Sequence, residues 1–460
     1  MWGRITSLSF PYIPRGLNEE SEMLGAIGAK SFEDLLVAVP QKYLLKERLD
    51  LPRPKSEIEI VRHFSNLANA NTAGGSSRVF LGAGSYDHYV PAIVDHISFR
   101  SEFYTAYTPY QAEVGQGTLT AIFEFQTLMA ELTGMDLANA SMYDGASALA
   151  EAVLLALSKN KRSRVLVAGA CHPNYLRVLT TYVQGLDIEV LVDPTPDGII
   201  DRAWVESNLD DTIGAVVTQT PSFLGLVEDA TWLFTEAKSL GAIPISVFQP
   251  HALALYKTPG EMGADLAVGE GQSLGTSPSF GGPSLGLFAV SQEFVRLIPG
   301  RLIGETEDKN GKRCFVMTLR TREQDIRRAK ATSNICTNQS LLALRATIYA
   351  SLLGPGGLTE VAESCLERAH YTQARLQEVG YDLVYEQPFF QEFVVRCPRP
   401  AREVVELAHE RGLIAGLDLG QYREEWKNHL MVCCSEKHSK DDLDALVSVL
   451  GALAGEVANV

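Results

Sequence analysis

The residues best suited to chemistry sit in short clusters beside glycines. Tyr143-Asp144-Gly145-Ala146-Ser147 places small residues at a predicted helix start, where exposed amides and the helix dipole can hold a phosphate. The same string also reads as an Asp-capped helix packed closely through alanines. Cys171-His172-Pro173-Asn174-Tyr175 follows a predicted strand, which puts His172 at the carboxyl edge of a sheet, where ligands of open α/β folds collect. An imidazole there can stack on a flat ring, move a proton or cap the next helix. Thr218-Gln219-Thr220-Pro221-Ser222 follows another strand and either lines the same crevice or forms a turn. The segment 269–283 also follows a strand, and its glycines let backbone approach another group closely. No phosphate-loop or dinucleotide fingerprint accompanies it. Tyr104, Tyr107 and Tyr110, followed by Gln111, suit a buried site, an interface or aromatic loop packing. Ser333-Asn334-Ile335-Cys336-Thr337-Asn338-Gln339 caps a long helix or contacts a neighbouring site, with Asn338 offering both a donor and an acceptor.

These clusters need elements to hold them. Continuously apolar runs predict strands at Val165–Ala168, Ile188–Val192, Gly214–Thr218, Ile243–Phe248, Leu266–Val268 and Gly286–Val290, as strands covered on both faces should read. Helical stretches alternate with them, Glu228–Leu240 being the clearest, so a doubly wound, mainly parallel α/β sheet is expected. Before it, residues 1–60 read as a helical extension, with Asn18 capping one helix and Ser31 another before Pro40. The large domain is expected over 61–325, including a polar connection from Ile303 onward. A smaller α+β domain follows over 326–460, in which a helix from Gln339 is stopped at Gly354-Pro355-Gly356-Gly357. There are further helices near 366–379, 401–411 and 440–453, and strands near 390–397 and 430–434.

The 460 residues, 46% hydrophobic and 21% charged, describe a soluble chain of more than one domain. No uninterrupted apolar run approaches the ~20 residues of a bilayer span. A formal net charge of -16 opposes attraction to nucleic acid or an anionic membrane, which leaves small molecules and proteins as partners. Seven scattered cysteines form neither a disulfide framework nor a metal pair, and Met1–Pro14 does not read as a secretory signal, so a cytoplasmic location is expected.

Five strings together resemble the glycine cleavage system P-proteins, and among them the separate alpha chains, or subunit 1. They are FLGAGSYDHYV from Phe80, YTAYTPYQ from Tyr104, YDGASALAEA from Tyr143, the segment 269–282, and the stretch from Thr318 to Gln339. The resemblance implies the pyridoxal-phosphate-dependent transferase fold of the aspartate-aminotransferase type. In that fold a lysine after a sheet strand forms an imine with the cofactor. Here the corresponding stretch, Val268-Gly269-Glu270-Gly271-Gln272-Ser273, puts Gln272 or Ser273 at that position, and neither an amide nor a hydroxyl can form the imine. Lys257, in a loop before the strand, is not expected to replace it. The acidic partner of the pyridine nitrogen is missing as well, since the relevant strand ends Phe248-Gln249.

The resemblance therefore implies a glycine dehydrogenase (decarboxylating) divided between two chains in an α2β2 heterotetramer. Pyridoxal phosphate is expected on a homologous beta subunit, with none bound covalently here. Glycine would lose carbon dioxide and its aminomethyl group would pass to the lipoyl arm of the H-protein. Tyr107, Tyr110, Gln111 and Asn338 are expected to reach the shared site, while Ser147, His172 and Gln272 mark a vestigial cofactor pocket. No metal is expected. The competing expectations are a non-catalytic scaffold for the beta subunit or the lipoyl carrier, and a self-sufficient enzyme using another lysine.

Overall fold

The computed structural model describes residues 19–71 except 46, 48 and 49, and residues 78–458; Asn18 lies outside them. The chain divides into two compact units, Met1–Ala73 and Gly74–Val460. In the first, helices Glu19–Ala26 and Glu57–Asn69 bracket two 3-10 turns. Ser56 caps the longer helix reciprocally: the Glu59 amide donates to its hydroxyl at 3.4 Å, and the Glu59 carboxylate accepts the Ser56 amide at 2.8 Å. The helix expected from Ser31 is only the 3-10 segment Phe32–Leu36, because Gly28 at φ 74° and Pro40 leave room for little more than one turn.

The second unit is built on a seven-stranded sheet of β1 (Leu137–Ala138), β2 (Arg164–Ala168), β3 (Glu189–Val192), β4 (Ile213–Thr220), β5 (Ile243–Phe248), β6 (Leu266–Glu270) and β7 (Gly286–Val290). Their order is β1-β7-β6-β5-β4-β2-β3. Strands β2 to β6 run parallel, and β7 and β1 are antiparallel at one side. Alternate residues feed opposite faces, which is why the runs are apolar throughout. Val165, Val217 and Ile245 pack under helix Gly145–Asn160, whereas Leu166, Val216 and Phe234 form a core on the other face. Helix Gln116–Thr133 adds Phe125 and Met129 against Leu285 and Leu287.

The connection expected from Ile303 is instead a hairpin of β8 (Leu302–Glu307) and β9 (Arg313–Thr318). Its charges hid it. Ile303 and Phe315 are buried in one cluster, while Glu305 and Arg313 pair nearer the exposed tip at 2.7 Å. A four-stranded antiparallel sheet follows, of β10 (Asp382–Leu383), β11 (Glu392–Arg396), β12 (Leu417–Asp418) and β13 (His429–Cys433), in the order β10-β11-β13-β12. Helices Ala401–Glu410 and Lys440–Ala458 cover it.

The helix expected to stop at Gly354 is interrupted there and resumes at once, running Ser340–Gln377 with a single non-helical residue, Gly354 at φ 61° and ψ -175°. Pro355 supplies the fixed φ of a new first turn, so the string that ends one helix starts the next. By length and composition this is the one described helix able to cross a membrane. Its apolar residues have another use here, since Leu342, Ala346 and Tyr349 are buried against the large sheet and Ala369 and Leu376 against the small one.

The two sheets meet through backbone. Gly225, after β4, has φ 84°, and a Cβ there would lie 2.1 Å from the Glu392 carbonyl oxygen of β11. The segment from Phe80 to Val90 runs between the same two layers and forms one wall of a crevice.

Candidate functional site

The crevice has a volume of about 340 Å3 and lies at the carboxyl ends of β2 and β6. Segment 83–85, the start of helix Gly145–Asn160, His172, Glu270, Gln272 and the glycine-rich rim 278–284 line it. Four sequence-predicted features meet here because two strand ends, one helix start and segment 83–85 converge, as in ligand crevices of open α/β sheets.

His172 has both ring nitrogens engaged. Nε2 lies 2.8 Å from the Ala83 carbonyl, and Nδ1 accepts the Asn174 amide at 3.0 Å, which fixes the tautomer with hydrogen on Nε2. Its ring stacks on Tyr175 at 5.2 Å and meets Phe223 edge-on at 5.0 Å. Burial lowers its pKa, so it stays neutral. The side chain caps helix Pro173–Val183 and braces segment 80–90.

Ser147 is buried in a capping box: its amide donates to Asp144 Oδ1 at 2.8 Å, and its hydroxyl donates to the Asp144 carbonyl at 3.1 Å. Gln272 is also buried. Its Oε1 accepts the Tyr86 amide at 3.1 Å and its Nε2 donates to the Tyr86 carbonyl at 3.1 Å, so one side chain pairs with both sides of a residue 186 positions away. Ser273 is buried, with its hydroxyl unpartnered among the described residues. Lys257 is elsewhere, exposed and paired with Asp229 at 2.5 Å.

Glu270, which sequence reasoning passed over, is the hub of the crevice floor. Its carboxylate accepts the amides of Gly145 at 3.0 Å, Gln272 at 2.9 Å and Leu285 at 2.7 Å. Burial pushes its carboxyl up to about 7 against those three donors. The Tyr175 phenol lies over Gly145, where a Cβ would come within 2.1 Å of its oxygen. The acidic residue inside the glycine-rich string was the one available signal.

The tyrosine cluster and the 333–339 segment form a second centre, outside the crevice lining. Arg301, only 5% exposed, joins them. Its Nη1 donates to Thr337 Oγ1 and Asn338 Oδ1, each at 3.0 Å, and its Nη2 donates to the Cys336 carbonyl at 3.0 Å and the Tyr110 hydroxyl at 3.3 Å. Asn338 Nδ2 in turn donates to the Ala140 carbonyl at 2.9 Å. The Tyr110 ring lies within cation–π reach of two guanidinium groups, Arg301 at 5.6 Å and Arg320 at 5.7 Å. Tyr107 and Gln111 are exposed beside it. The structure thus brings Tyr110 and Asn338 together, through a residue that no sequence pattern marked.

A third cluster holds metal-ligand residue types. His88, Cys365 and Glu436 place one ligand atom each within 4.8 Å of one another. Their direct bonds account for the arrangement: His88 Nδ1 lies 2.8 Å from Glu436 Oε2, and the Cys365 thiol donates to the same oxygen at 3.5 Å.

With this geometry in view, comparison with known proteins identifies the relationship. The family model described as glycine cleavage system P-protein matches residues 11–450. A protein of Listeria monocytogenes serotype 4b, named "Probable glycine dehydrogenase (decarboxylating) subunit 1", is 48% identical over 441 residues, covering 95% of this chain and 98% of its own. A relative of the same name from Prosthecochloris aestuarii is 48% identical over 446 residues, covering 96% and 100%. Among solved structures, a glycine decarboxylase (P-protein) in inhibitor-bound form superposes with a TM-score of 0.87 at 43% identity, covering 96% of this chain and 99% of its own. A sphingosine-1-phosphate lyase from Burkholderia pseudomallei superposes with a TM-score of 0.66 at 15% identity, covering 90% and 93%, a likeness of fold alone.

The fold is therefore that of pyridoxal-phosphate-dependent transferases, as expected. The expectation that the cofactor belongs to the partner subunit alone is corrected by the same matches: this chain carries the whole family domain and the pyridoxal-phosphate fold, crevice included, so the fold gives no ground for placing the cofactor on the partner alone. The lining residues do not fit an imine-linked cofactor. Among the described residues no lysine or arginine lines the crevice, Asp144 and Glu270 are acidic, and the Gly145 amide is already satisfied by Glu270. At Gln249, where an acid would face a pyridine nitrogen, Oε1 caps the Ala252 amide at 2.6 Å. Matched along nearly its full length, the chain belongs to the glycine cleavage system P-protein family.

Proposed function

We propose that this chain is one subunit of a glycine decarboxylase of the glycine cleavage system. It works with a homologous second subunit to remove carbon dioxide from glycine and to pass the aminomethyl group to the lipoyl arm of the H-protein. The observation that carries this reading is the end-to-end similarity to relatives named as subunit 1, at 48% identity over 441 residues and 98% of the relative's length. Seven unbridged cysteines support a reducing compartment, the cytoplasm, as its place.

Pyridoxal phosphate, when bound, supplies the electron sink that decarboxylation of an amino acid requires. The share of this chain is positional. Tyr110 and Asn338 offer a hydroxyl and an amide on a fixed base, and the exposed Tyr107 and Gln111 beside them suit contact with a second subunit.

The test combines the purified chain, a separately expressed second subunit and the lipoyl carrier, and measures exchange of labelled bicarbonate into glycine. Activity is expected only with both chains, and Tyr110→Phe is expected to lower it about tenfold, the low end of the worth of one hydrogen bond to a charged group. Full exchange by the isolated chain would defeat the two-subunit reading. Unchanged exchange in both Tyr110→Phe and Asn338→Ala, with assembly intact, would reduce the chain to a scaffold.

A further inference from the structure

A guanidinium taken almost wholly out of water usually faces a carboxylate, because burying an unpaired charge is expensive. Among the described residues Arg301 has no carboxylate as a hydrogen-bond partner, and Glu323, whose carboxyl its charge reaches, does not bond it. The arginine divides four donations among two side-chain oxygens of the 337–338 pair, one carbonyl and one phenol. These acceptors come from two segments far apart in sequence, the tyrosine cluster and the start of helix Ser340–Gln377. Arg301 itself leads into β8 after Gly300 at φ 71°, and its carbonyl accepts the Ala140 amide at 2.9 Å. Asn338 Nδ2 returns to the Ala140 carbonyl, so Arg301, Asn338 and residue 140 close a ring. Next to that ring, Ser141 has φ 103°, and its amide donates to Asn139 Oδ1 at 3.0 Å while its hydroxyl accepts the Gln339 amide at 2.9 Å. A non-glycine residue at positive φ persists only where its surroundings over-determine it.

We infer that Arg301 is the positioning residue of the shared site, holding the Tyr110 hydroxyl and the Asn338 amide in one fixed relation. The inference rests on the proposed function, in which those two groups face the reaction carried out with the second subunit. The demand is for a planar fork. Two nitrogens 120° apart serve four acceptors at once, whereas a lysine ammonium is a single point with three donors on a flexible stem. Charge alone therefore does not account for the position. Tyr110 adds a second constraint, because its ring also meets the Arg320 guanidinium and loses rotational freedom as well as hydroxyl freedom.

The test is a set of double-mutant cycles in the reconstituted two-subunit enzyme, read as kcat/KM for glycine in the bicarbonate exchange, with the thermal midpoint of each complex alongside. Arg301→Lys is expected to lower kcat/KM by roughly tenfold to a hundredfold, the scale of misplacing a group by about 1 Å, with kcat falling more than KM rises. Added to Tyr110→Phe, it should cost little more, because both changes remove the same arrangement. Should Arg301→Lys fail to fold, the cycle between Tyr110→Phe and Asn338→Ala asks the same question in a chain that keeps Arg301. Their losses should not multiply if one arginine couples them. The inference is overturned if Tyr110→Phe lowers turnover while Arg301→Lys leaves it intact, or if the losses multiply in either cycle. If neither Tyr110→Phe nor Asn338→Ala lowers turnover, the shared-site reading itself has failed and the positioning role falls with it.

Discussion

Glu392 on β11 is 4% exposed, accepts the Ala83 amide at 2.6 Å and the Tyr86 hydroxyl at 2.7 Å, and is pushed up to about 7 by burial despite both donors. A carboxyl whose folded pKa lies above its ordinary value of 4.5 is penalised once it ionises. Its effect is absent below about pH 4.5, and stability is lost as the pH rises from there through about 7. Glu392→Gln keeps the shape and an oxygen for the Ala83 amide but cannot ionise. Denaturant titrations should show the variant gaining on wild type by up to ~3 kcal/mol between pH 4.5 and 7.5. A constant difference across that range would mean that Glu392 titrates normally. Such a residue shows the limit of sequence at this scale. His172 and Gln272 were readable as strand-end residues because each follows a continuous apolar run, but their bonding partners lie on distant segments. Arg301 sits in the short run Arg301-Leu302-Ile303, where no periodicity sets it apart, and only the folded chain brings Tyr110 and Asn338 to it.

At the scale of elements, six strands of the large sheet were legible because burial on both faces demands unbroken apolar runs, and β5 and β7 are buried at every position. β1, only two residues long, carries too little pattern to find. The β8–β9 hairpin failed to register because β8 passes from buried Leu302 and Ile303 to exposed Glu305, Thr306 and Glu307 without alternating, which reads as a polar linker. The break at Gly354 was legible as punctuation but not as a join. At φ 61° and ψ -175° this residue occupies backbone space that belongs almost entirely to glycine, yet a Cβ there would meet nothing within 4 Å. Gly354→Ala therefore isolates backbone strain from crowding, and a loss of ~1–3 kcal/mol is expected, visible as a lower thermal midpoint. An unchanged midpoint would show that the two helical halves can realign without cost.

Across the whole second unit, the segment from Phe80 to Val90 ties the large and small sheets together. Ala83 meets Glu392, Tyr86 meets Gln272, and His88 meets Glu436. Burial would raise the Glu436 carboxyl, but hydrogen bonding and charge from His88, with the Tyr89 amide, hold it down at about 2. A folded pKa below the ordinary 4.5 means that its contribution is whole above about pH 4.5 and is lost as the pH falls through about 2. Glu436→Gln should be clearly less stable than wild type at pH 6, with the two acid-unfolding curves converging near pH 2. Curves that stay parallel would show that the His88 pairing is neutral to folding. The family, the fold class and the carboxyl-edge crevice could be read from the sequence alone, because they depend on local strings and apolar runs. The allocation of the cofactor could not, since a missing lysine removes a bond to the ring without removing the fold that surrounds it.

The double pairing of Gln272 with Tyr86 has a consequence for traffic. Pulling segment 80–90 away would strand a buried donor and a buried acceptor together, each worth ~1–3 kcal/mol unpaired. That wall of the crevice is accordingly a fixed doorpost. The glycine rim is the freer edge, where Phe280 stands 99% in solvent and a Cβ at Gly281 would meet nothing within 4 Å among the described residues.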